Sequence, residues 1–332
     1  MFKTPLAHNM EKTAAIVPSM RWDGKENFSS WQERGRKKLT ELFGLPFEKC
    51  DDKFQIEYQI NHETFNETRF TFQSEEGFFV PCHFWTPKNI SKPLPLVICL
   101  QGHSKGMHIS MGRPKYPGDE ETISGGDRDF AVRAIKEGYC ALIMEQRCFG
   151  ELGGTEKGPD CNVSTLAAFL IGRTAAGERT WDLQRALDVT LKNFSEIDKN
   201  RIICMGNSGG GTTTLYASCL EMRIGYAMPS SYFCSFDDCL GAMHHCVCSF
   251  VPNIRLFFDM GDLEGFIAPR PLVIVSGLTD SIFPQTGVQK AFREAQRLYE
   301  GAGAADKLKL VIGEGGHRFY ADQGWKAMNS FL

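Results

Sequence analysis

The spacing of apolar and polar residues changes along the chain, and it indicates two kinds of architecture in succession. Residues 22–45 carry apolar side chains at helical spacing among charged residues and end in a Gly-Leu-Pro group, which predicts a helix. Residues 54–60, 67–72 and 78–85 alternate or run apolar and are rich in Phe, Thr, Val and Tyr. Because polar turns separate these three runs, they predict three early antiparallel strands.

After residue 95, short apolar runs alternate with amphipathic stretches. Helices are predicted near residues 129–137, 176–194 and 288–298. The apolar runs between them have the length of buried strands and cover residues 96–100, 140–144, 201–205, 271–276 and 307–312. Strands that alternate with helices in this way form a mainly parallel sheet with helices on both faces. The sequence therefore predicts an α/β fold.

The segment from residue 230 to residue 260 breaks the alternation. It is crowded with Cys, Phe, Met and His, shows no clear period and precedes the next strand. Insertions at such a point usually lie over the carboxyl ends of the strands, where ligands bind. We therefore expect a cap near 230–260 within a single domain over residues 51–332, preceded by a helical N-terminal extension over residues 1–50 that packs on the core.

Composition excludes several classes of protein. With 332 residues, 42% of them hydrophobic, the chain can bury a full core. A net charge of −3 and the lack of a basic stripe argue against a nucleic-acid partner. No apolar run approaches the roughly 18 residues that span a bilayer, and residues 1–20 do not resemble a signal peptide. We expect a cytoplasmic protein that is not associated with a membrane and whose twelve cysteines are reduced.

The strongest chemical signal is the pentapeptide Gly206-Asn207-Ser208-Gly209-Gly210, which directly follows the predicted strand 201–205. A Gly-x-Ser-x-Gly sequence between a strand and a helix forms a sharp turn that exposes the serine hydroxyl. Only glycine leaves room for neighbouring backbone on either side of such a turn. We therefore predict that Ser208 is a nucleophile.

A serine nucleophile needs a base and a group that orients the base. Asp280 lies in the loop after the predicted strand 271–276, and His317 lies in the loop after the next strand. The order serine, acid, histidine is that of α/β-hydrolases, so we predict Asp280 and His317 as the other catalytic residues. Competing acids for the role of Asp280 are Asp237, Asp238, Asp259, Asp262 and Glu314.

An oxyanion hole needs two backbone amides, one of them from the residue after the nucleophile. Gly209 supplies the first, and His103, in the loop after the strand 96–100, is predicted to supply the second. We expect the His103 side chain to line the site rather than act as a base. Gln101, Tyr232 and Phe233 are predicted to contact the substrate.

Cysteines and histidines in the expected cap raise the question of a metal. Structural zinc sites usually show paired Cys-x₂₋₄-Cys or His-x₃₋₅-His elements, whereas the histidines of this segment lie beside a Cys-x-Cys element. A packed cap that forms one wall of an acyl pocket is the preferred interpretation, and we expect no metal ligand. The residues concerned are Cys234, Cys239, His244, His245, Cys246 and Cys248.

From about residue 78 to the C-terminus, the chain resembles the acetyl xylan esterase and dienelactone-hydrolase-like branch of the α/β-hydrolases. That resemblance implies a triad of Ser208, Asp280 and His317 and hydrolysis of carboxylic esters, often acetyl groups on carbohydrates, without a cofactor. Two segments depart from the pattern of the branch: Gln101-Gly102 stands in place of His-Gly, and residues 145–150 replace Asp-x-Arg-Gly-x-Gly. The stretches that carry the resemblance are residues 181–215, 230–236, 259–262, 267–272 and 313–319.

The predicted function is a serine esterase that acts on short-chain, mainly acetyl, esters of small molecules or oligosaccharides. A peptidase of the prolyl-oligopeptidase type would use the same triad, but it generally carries a propeller or another large domain, for which the residues before the core strands are too few. A binding protein on a hydrolase scaffold is the third hypothesis, since fold alone does not fix function. A homo-oligomer is compatible with the sequence.

Overall fold

The computed structural model describes residues 2–332 and contains a nine-stranded sheet. The strands follow the spatial order β1-β2-β3-β5-β4-β6-β7-β8-β9. Their bounds are β1 Gln55–Asn61, β2 Phe65–Glu75, β3 Phe78–Pro87, β4 Leu94–Leu100, β5 Cys140–Met144, β6 Ile197–Asn207, β7 Tyr226–Ser230, β8 Leu272–Gly277 and β9 Leu308–Gly313. The pairs β1-β2, β2-β3 and β3-β5 are antiparallel, whereas every pair from β5-β4 to β8-β9 in the spatial order is parallel. The predicted early antiparallel strands and the mainly parallel α/β sheet are confirmed.

Helices cover both faces of the sheet, because alternate residues of each buried strand point to opposite faces. In β4, Leu96 and Ile98 pack with Leu183 and Leu187 on one face. Val97, the residue between them, packs on the other face, beside α4 and α11. The helices are α1 Pro5–Ala14, α2 Phe28–Phe43, α3 Asp119–Gly125, α4 Phe130–Lys136, α5 Asn162–Leu170, α6 Ala175–Asn193, α7 Gly209–Leu220, α8 Ile254–Phe257, α9 Met260–Leu263, α10 Gln285–Gly301 and α11 Ala321–Asn329.

The predicted N-terminal extension contains α1 and α2, and its first residue, Met1, lies outside the described residues. The helix predicted over 22–45 begins only at Phe28, because the Asn27 side chain accepts a hydrogen bond from the Ser30 amide and caps the first turn. Trp31 anchors α2: its ring stacks on Phe266 with 4.8 Å between centroids. The division into an extension and one domain stays a prediction.

The segment 230–260 forms an irregular loop that begins where β7 ends. Within it lie one 3₁₀ turn, Val247–Ser249, and the short helix α8. Its histidine and cysteine residues from 244 onward approach the carboxyl ends of the parallel strands. Among residues 2–332, no helix combines the length and the apolar character required to cross a bilayer.

Candidate active site

Ser208 lies at the sharp turn between β6 and α7. Its backbone has φ +54° and ψ −117°, a region that a residue with a side chain rarely adopts. The turn is closely packed, because a Cβ on Gly210 would overlap the carbonyl oxygen of Leu100, and one on Gly206 would lie 2.5 Å from the carbonyl oxygen of Gly210. The two glycines of the motif therefore allow β4, β6 and α7 to approach each other around the serine.

Asp280 and His317 lie in neighbouring loops after β8 and β9, and their side chains are hydrogen-bonded. The distance from His317 Nδ1 to Asp280 Oδ2 is 2.9 Å. The other carboxylate oxygen of Asp280 accepts hydrogen bonds from the backbone amides of Ile282 and Phe283, at 2.9 and 3.2 Å. The Phe283 ring lies parallel to the imidazole, with 5.8 Å between centroids. The carboxylate is thus buried and held in place from two sides.

The backbones of these two loops are joined as well. The Leu278 amide donates to the Gly313 carbonyl at 2.7 Å, and the Thr279 amide donates to the Gly315 carbonyl at 3.0 Å. Gly277 makes the approach close enough, since a Cβ at that position would overlap the carbonyl oxygen of Gly316. The acid and the imidazole are therefore positioned by one continuous backbone contact.

Several of the competing acids are engaged elsewhere. Asp237 forms an ion pair with Arg255, with 2.9 Å between Oδ2 and Nη2. Asp259 and Asp262 form the capping box of α9, and Asp262 also pairs with Arg21 at 2.9 Å. None of these three contacts His317, so the structure brings Asp280 and not these residues to the imidazole.

A cleft of about 680 Å³ opens over the carboxyl ends of the parallel strands, and both Ser208 and His317 line it. Within residues 2–332, the Ser208 hydroxyl forms no hydrogen bond with His317 or with any other side chain. In free hydrolases the bond between serine and histidine is often long and tightens only with substrate. The remaining lining residues include His103, Arg128, Asp160, Cys161, Gly209, Tyr232, His244, His245 and Cys246.

The loop after β4 lies against the nucleophile turn, as an oxyanion hole requires. A Cβ on Gly102 would lie 3.1 Å from Ser208 Cβ, so glycine allows the loop to approach the serine. Gly209 is the first residue of α7, where a backbone amide has no partner within the helix. The His103 ring lines the cleft as predicted, but its Nε2 is 3.1 Å from Cys248 Sγ.

Two of the three predicted substrate contacts need correction. Gln101 is fully buried, and its side-chain amide donates to Glu145 at 2.7 Å instead of facing the cleft. Phe233 is buried among core residues and is absent from the cleft lining, because the chain after β7 turns its ring inward. Tyr232 does line the cleft, although its hydroxyl is turned toward Tyr216, 3.3 Å away.

The cysteines and histidines of the segment 230–260 do not form one cluster. Cys234 and Cys239 pack in the hydrophobic core. Cys246 and Cys248 instead lie beside His103 and Cys161, and one potential ligand atom from each of these four residues lies within 4.8 Å of the others. Sequence reasoning missed Cys161, since it precedes α5 and is far from the other three residues along the chain.

Two charged residues near the cleft were also missed. Arg128 lines the cleft, and among residues 2–332 its guanidinium has no salt-bridge partner; burial, together with the nearby Arg318, lowers the pKa of Arg128. Glu145 lies beneath the loop after β4, where its carboxylate accepts from Gln101 and from the Met107 amide. Burial raises the pKa of Glu145 to about 7.

A strand-turn-helix nucleophile site, followed in order by an acid and a histidine after later parallel strands, defines the class of α/β-hydrolases. The chain belongs to the Abhydrolase family, whose model matches residues 5–311. The predicted family resemblance and fold are thereby confirmed.

Similar proteins agree with this assignment. The protein named "Putative hydrolase YtaP" of Bacillus subtilis (strain 168) is 27% identical over 252 residues, which cover 71% of this chain and 77% of that protein. A structure described as a "putative acetyl xylan esterase" from Bacteroides fragilis NCTC 9343 has a TM-score of 0.80 at 18% identity, covering 94% of this chain and 83% of that one. A glucuronoyl esterase from Solibacter usitatus has a TM-score of 0.71 at 14% identity, covering 96% and 97%. At these identities, the structural matches show the fold.

Proposed function

We propose that this chain is a serine carboxylesterase that removes short acyl groups, mainly acetyl, from carbohydrates or other small molecules. The observation that carries the proposal is the cleft that Ser208 and His317 both line, while Asp280 is hydrogen-bonded to Nδ1 of the imidazole. The structural neighbours described as acetyl xylan and glucuronoyl esterases support this choice of substrate class. A cytoplasmic location and a homo-oligomer stay predictions.

The arrangement leads to acyl transfer in two steps. Asp280 accepts a hydrogen bond from the Nδ1–H of His317 and stays ionised, which leaves Nε2 free to take the proton of the Ser208 hydroxyl. The serine oxygen attacks the ester carbonyl, the amides of Gly209 and His103 stabilise the oxyanion, and His317 returns its proton to the departing alcohol. Water, deprotonated by the same imidazole, then releases the acid and restores the serine.

The lining of the cleft favours a polar alcohol over a lipid. Arg128, Asp160, His244 and His245 all contribute to it, and these side chains can form hydrogen bonds with sugar hydroxyls. The strands that the structure describes in residues 2–332 form a single sheet. This part of the chain therefore contains no propeller domain of the kind that a prolyl-oligopeptidase-type peptidase carries. An esterase is therefore favoured over a prolyl-oligopeptidase-type peptidase.

Hydrolysis of p-nitrophenyl acetate, butyrate and octanoate tests the proposal. Wild type should cleave acetate fastest, Ser208→Ala should lose activity, and a fluorophosphonate should label wild type but not this variant. Ser249→Ala is the matched control, because Ser249 lines the same cleft. Equal activity of wild type and Ser208→Ala would rule out Ser208 as the nucleophile. A wild type that neither turns over esters nor reacts with the fluorophosphonate would favour the binding-protein hypothesis.

Arg128 favours a second candidate substrate, an ester of an acidic sugar. A half-buried guanidinium that lines the cleft and has no salt-bridge partner in residues 2–332 is suited to bind a carboxylate. Arg128→Gln should raise KM for an acetylated acidic sugar by about tenfold or more, since charged hydrogen bonds contribute roughly 1.5–3 kcal/mol. KM for a neutral acetylated xylo-oligosaccharide should not change. An equal change for both substrates would contradict this role.

A further inference from the structure

Three loops bring one histidine and three cysteines together at the wall of the active-site cleft. His103 follows β4, Cys161 directly precedes α5, and Cys246 and Cys248 belong to the segment 230–260. His103 Nε2 is 3.1 Å from Cys248 Sγ, and the sulfur atoms of Cys246 and Cys248 are 3.2 Å apart. The four potential ligand atoms all lie within 4.8 Å of one another.

We propose that these four residues bind one zinc ion. In tetrahedral zinc sites, bonds of about 2.3 Å to sulfur and 2.0–2.1 Å to nitrogen separate neighbouring ligand atoms by roughly 3.5–3.8 Å. Two separations in this cluster, 3.1 and 3.2 Å, lie just below that range and none exceeds 4.8 Å, so small side-chain rotations would complete the geometry. Three thiolates and one imidazole are a common ligand set for structural zinc and do not suit Mg²⁺ or Ca²⁺.

Arg179 provides an independent reason to expect negative charge here. Its side chain is 2% exposed, and within residues 2–332 it has no carboxylate partner. Its two terminal nitrogens lie 3.5 Å from the sulfur atoms of Cys248 and Cys161, respectively. Three neutral thiols would leave this buried cation without a counter-charge, which is costly. A zinc ion with three thiolates and a neutral imidazole has a net charge of −1, which balances the guanidinium.

Four protein ligands leave zinc no open coordination position, so the role of the metal is structural. It would hold together the loop after β4, the start of α5 and the segment 230–260. The His103 ring also packs on the nucleophile turn, since a Cβ on Gly209 would lie 2.8 Å from it. If the esterase mechanism is right, the metal fixes the loop that carries the second oxyanion amide. Metal binding itself does not depend on that mechanism.

Metal analysis of the full chain, expressed without a polyhistidine tag and reconstituted with zinc under reducing conditions, tests the proposal. Wild type should retain one zinc ion per chain after desalting, and Cys246→Ser should lose most of it. Cys50→Ser is the matched control, because Cys50 is half-buried, as Cys246 is, and lies in another part of the molecule. It should bind zinc as wild type does.

A second measurement uses the wild-type protein, so its result does not depend on whether a variant folds. Cobalt added to metal-free wild type should give the intense visible absorption of a tetrahedral thiolate site, and zinc should displace it. A folded wild type that binds neither metal would overturn the proposal. A disulfide between Cys246 and Cys248, detected by mass spectrometry in protein purified without reductant and not prevented by zinc, would overturn it in favour of a redox pair. Equal zinc loss in Cys50→Ser and Cys246→Ser would also contradict it.

Discussion

Replacing Asp280 by asparagine tests the proposed mechanism at its most specific contact. The aspartate accepts a hydrogen bond from the His317 Nδ1–H, with 2.9 Å between Nδ1 and Oδ2, and its second oxygen accepts hydrogen bonds from two backbone amides. In Asp280→Asn the side-chain carbonyl can keep both backbone bonds, so the amide group faces His317 Nδ1. An amide donor stabilises the opposite imidazole tautomer, in which Nε2 carries the proton and cannot accept one from Ser208.

The expected loss is therefore in kcat and not in folding. The wrong tautomer reduces kcat by about 10⁴-fold in hydrolases with this arrangement, equivalent to about 5.4 kcal/mol of transition-state stabilisation. The free energy of unfolding should fall by only about 1–2 kcal/mol, because one charge-assisted hydrogen bond is weakened while the others remain.

Steady-state hydrolysis of p-nitrophenyl acetate and urea unfolding together separate the two effects. Asp237→Asn is the control, because Asp237 pairs with Arg255 and does not contact His317. It should keep kcat within about twofold of wild type, as expected for a partly exposed ion pair. If Asp280→Asn keeps more than a tenth of the activity, or if Asp237→Asn loses as much, the assignment of the acid is wrong.

Three further predictions concern stability, each measured by urea unfolding. Because burial raises the pKa of Glu145 from near 4.5 to about 7, the folded state holds a proton that the unfolded state releases, so stability falls as pH rises from 4.5 to 7. Glu145→Gln should be similar to wild type at pH 4.5 and should gain up to roughly 3 kcal/mol relative to it above pH 7. Gly210→Ala should cost about 1–3 kcal/mol or more, since its Cβ would overlap Leu100 O. Trp31→Ala should cost about 3–5 kcal/mol, because the ring is fully buried against Phe266.

Each of these three predictions has a matched control variant. Glu300→Gln, on the exposed face of α10, should leave the pH profile unchanged. Gly225→Ala should be nearly neutral, because the nearest atom to a Cβ there is 3.6 Å away. Leu6→Ala should also be neutral, since Leu6 is exposed on α1. The same pH dependence of stability in wild type and Glu145→Gln would contradict the explanation for Glu145. An equal loss of unfolding free energy in Gly210→Ala and Gly225→Ala, or in Trp31→Ala and Leu6→Ala, would contradict the packing explanation for that pair.

The sequence predicts those parts of the fold that depend on local pattern. Continuous apolar runs locate β4 and β5 because both faces of a parallel strand are buried. The strand β7 escapes prediction because Tyr226–Ser230 has only five residues and includes Pro229. Helix ends depend on caps, as at Asn27, which apolar spacing does not reveal.

In the candidate site too, sequence pattern predicts some features, and packing between distant segments determines the others. Ser208, Asp280 and His317 each lie within four residues of the end of a core strand, so topology alone brings them to one edge of the sheet. Gln101 and Phe233 also follow strands, but the direction of their side chains depends on how each loop packs. The approach of Cys161 to His103 depends on contacts between three loops distant in sequence, and no spacing of ligands along the chain encodes it.

The backbone contact between the loops after β8 and β9 has a consequence for engineering. Because Gly277 packs directly on the carbonyl of Gly316, neither loop can change its path without displacing the other. A chimaera that takes only one of them from a related enzyme would inherit mismatched halves of the acid–imidazole pair. Residues 277–283 and 313–317 therefore form a single transplantable module, to be exchanged together or not at all.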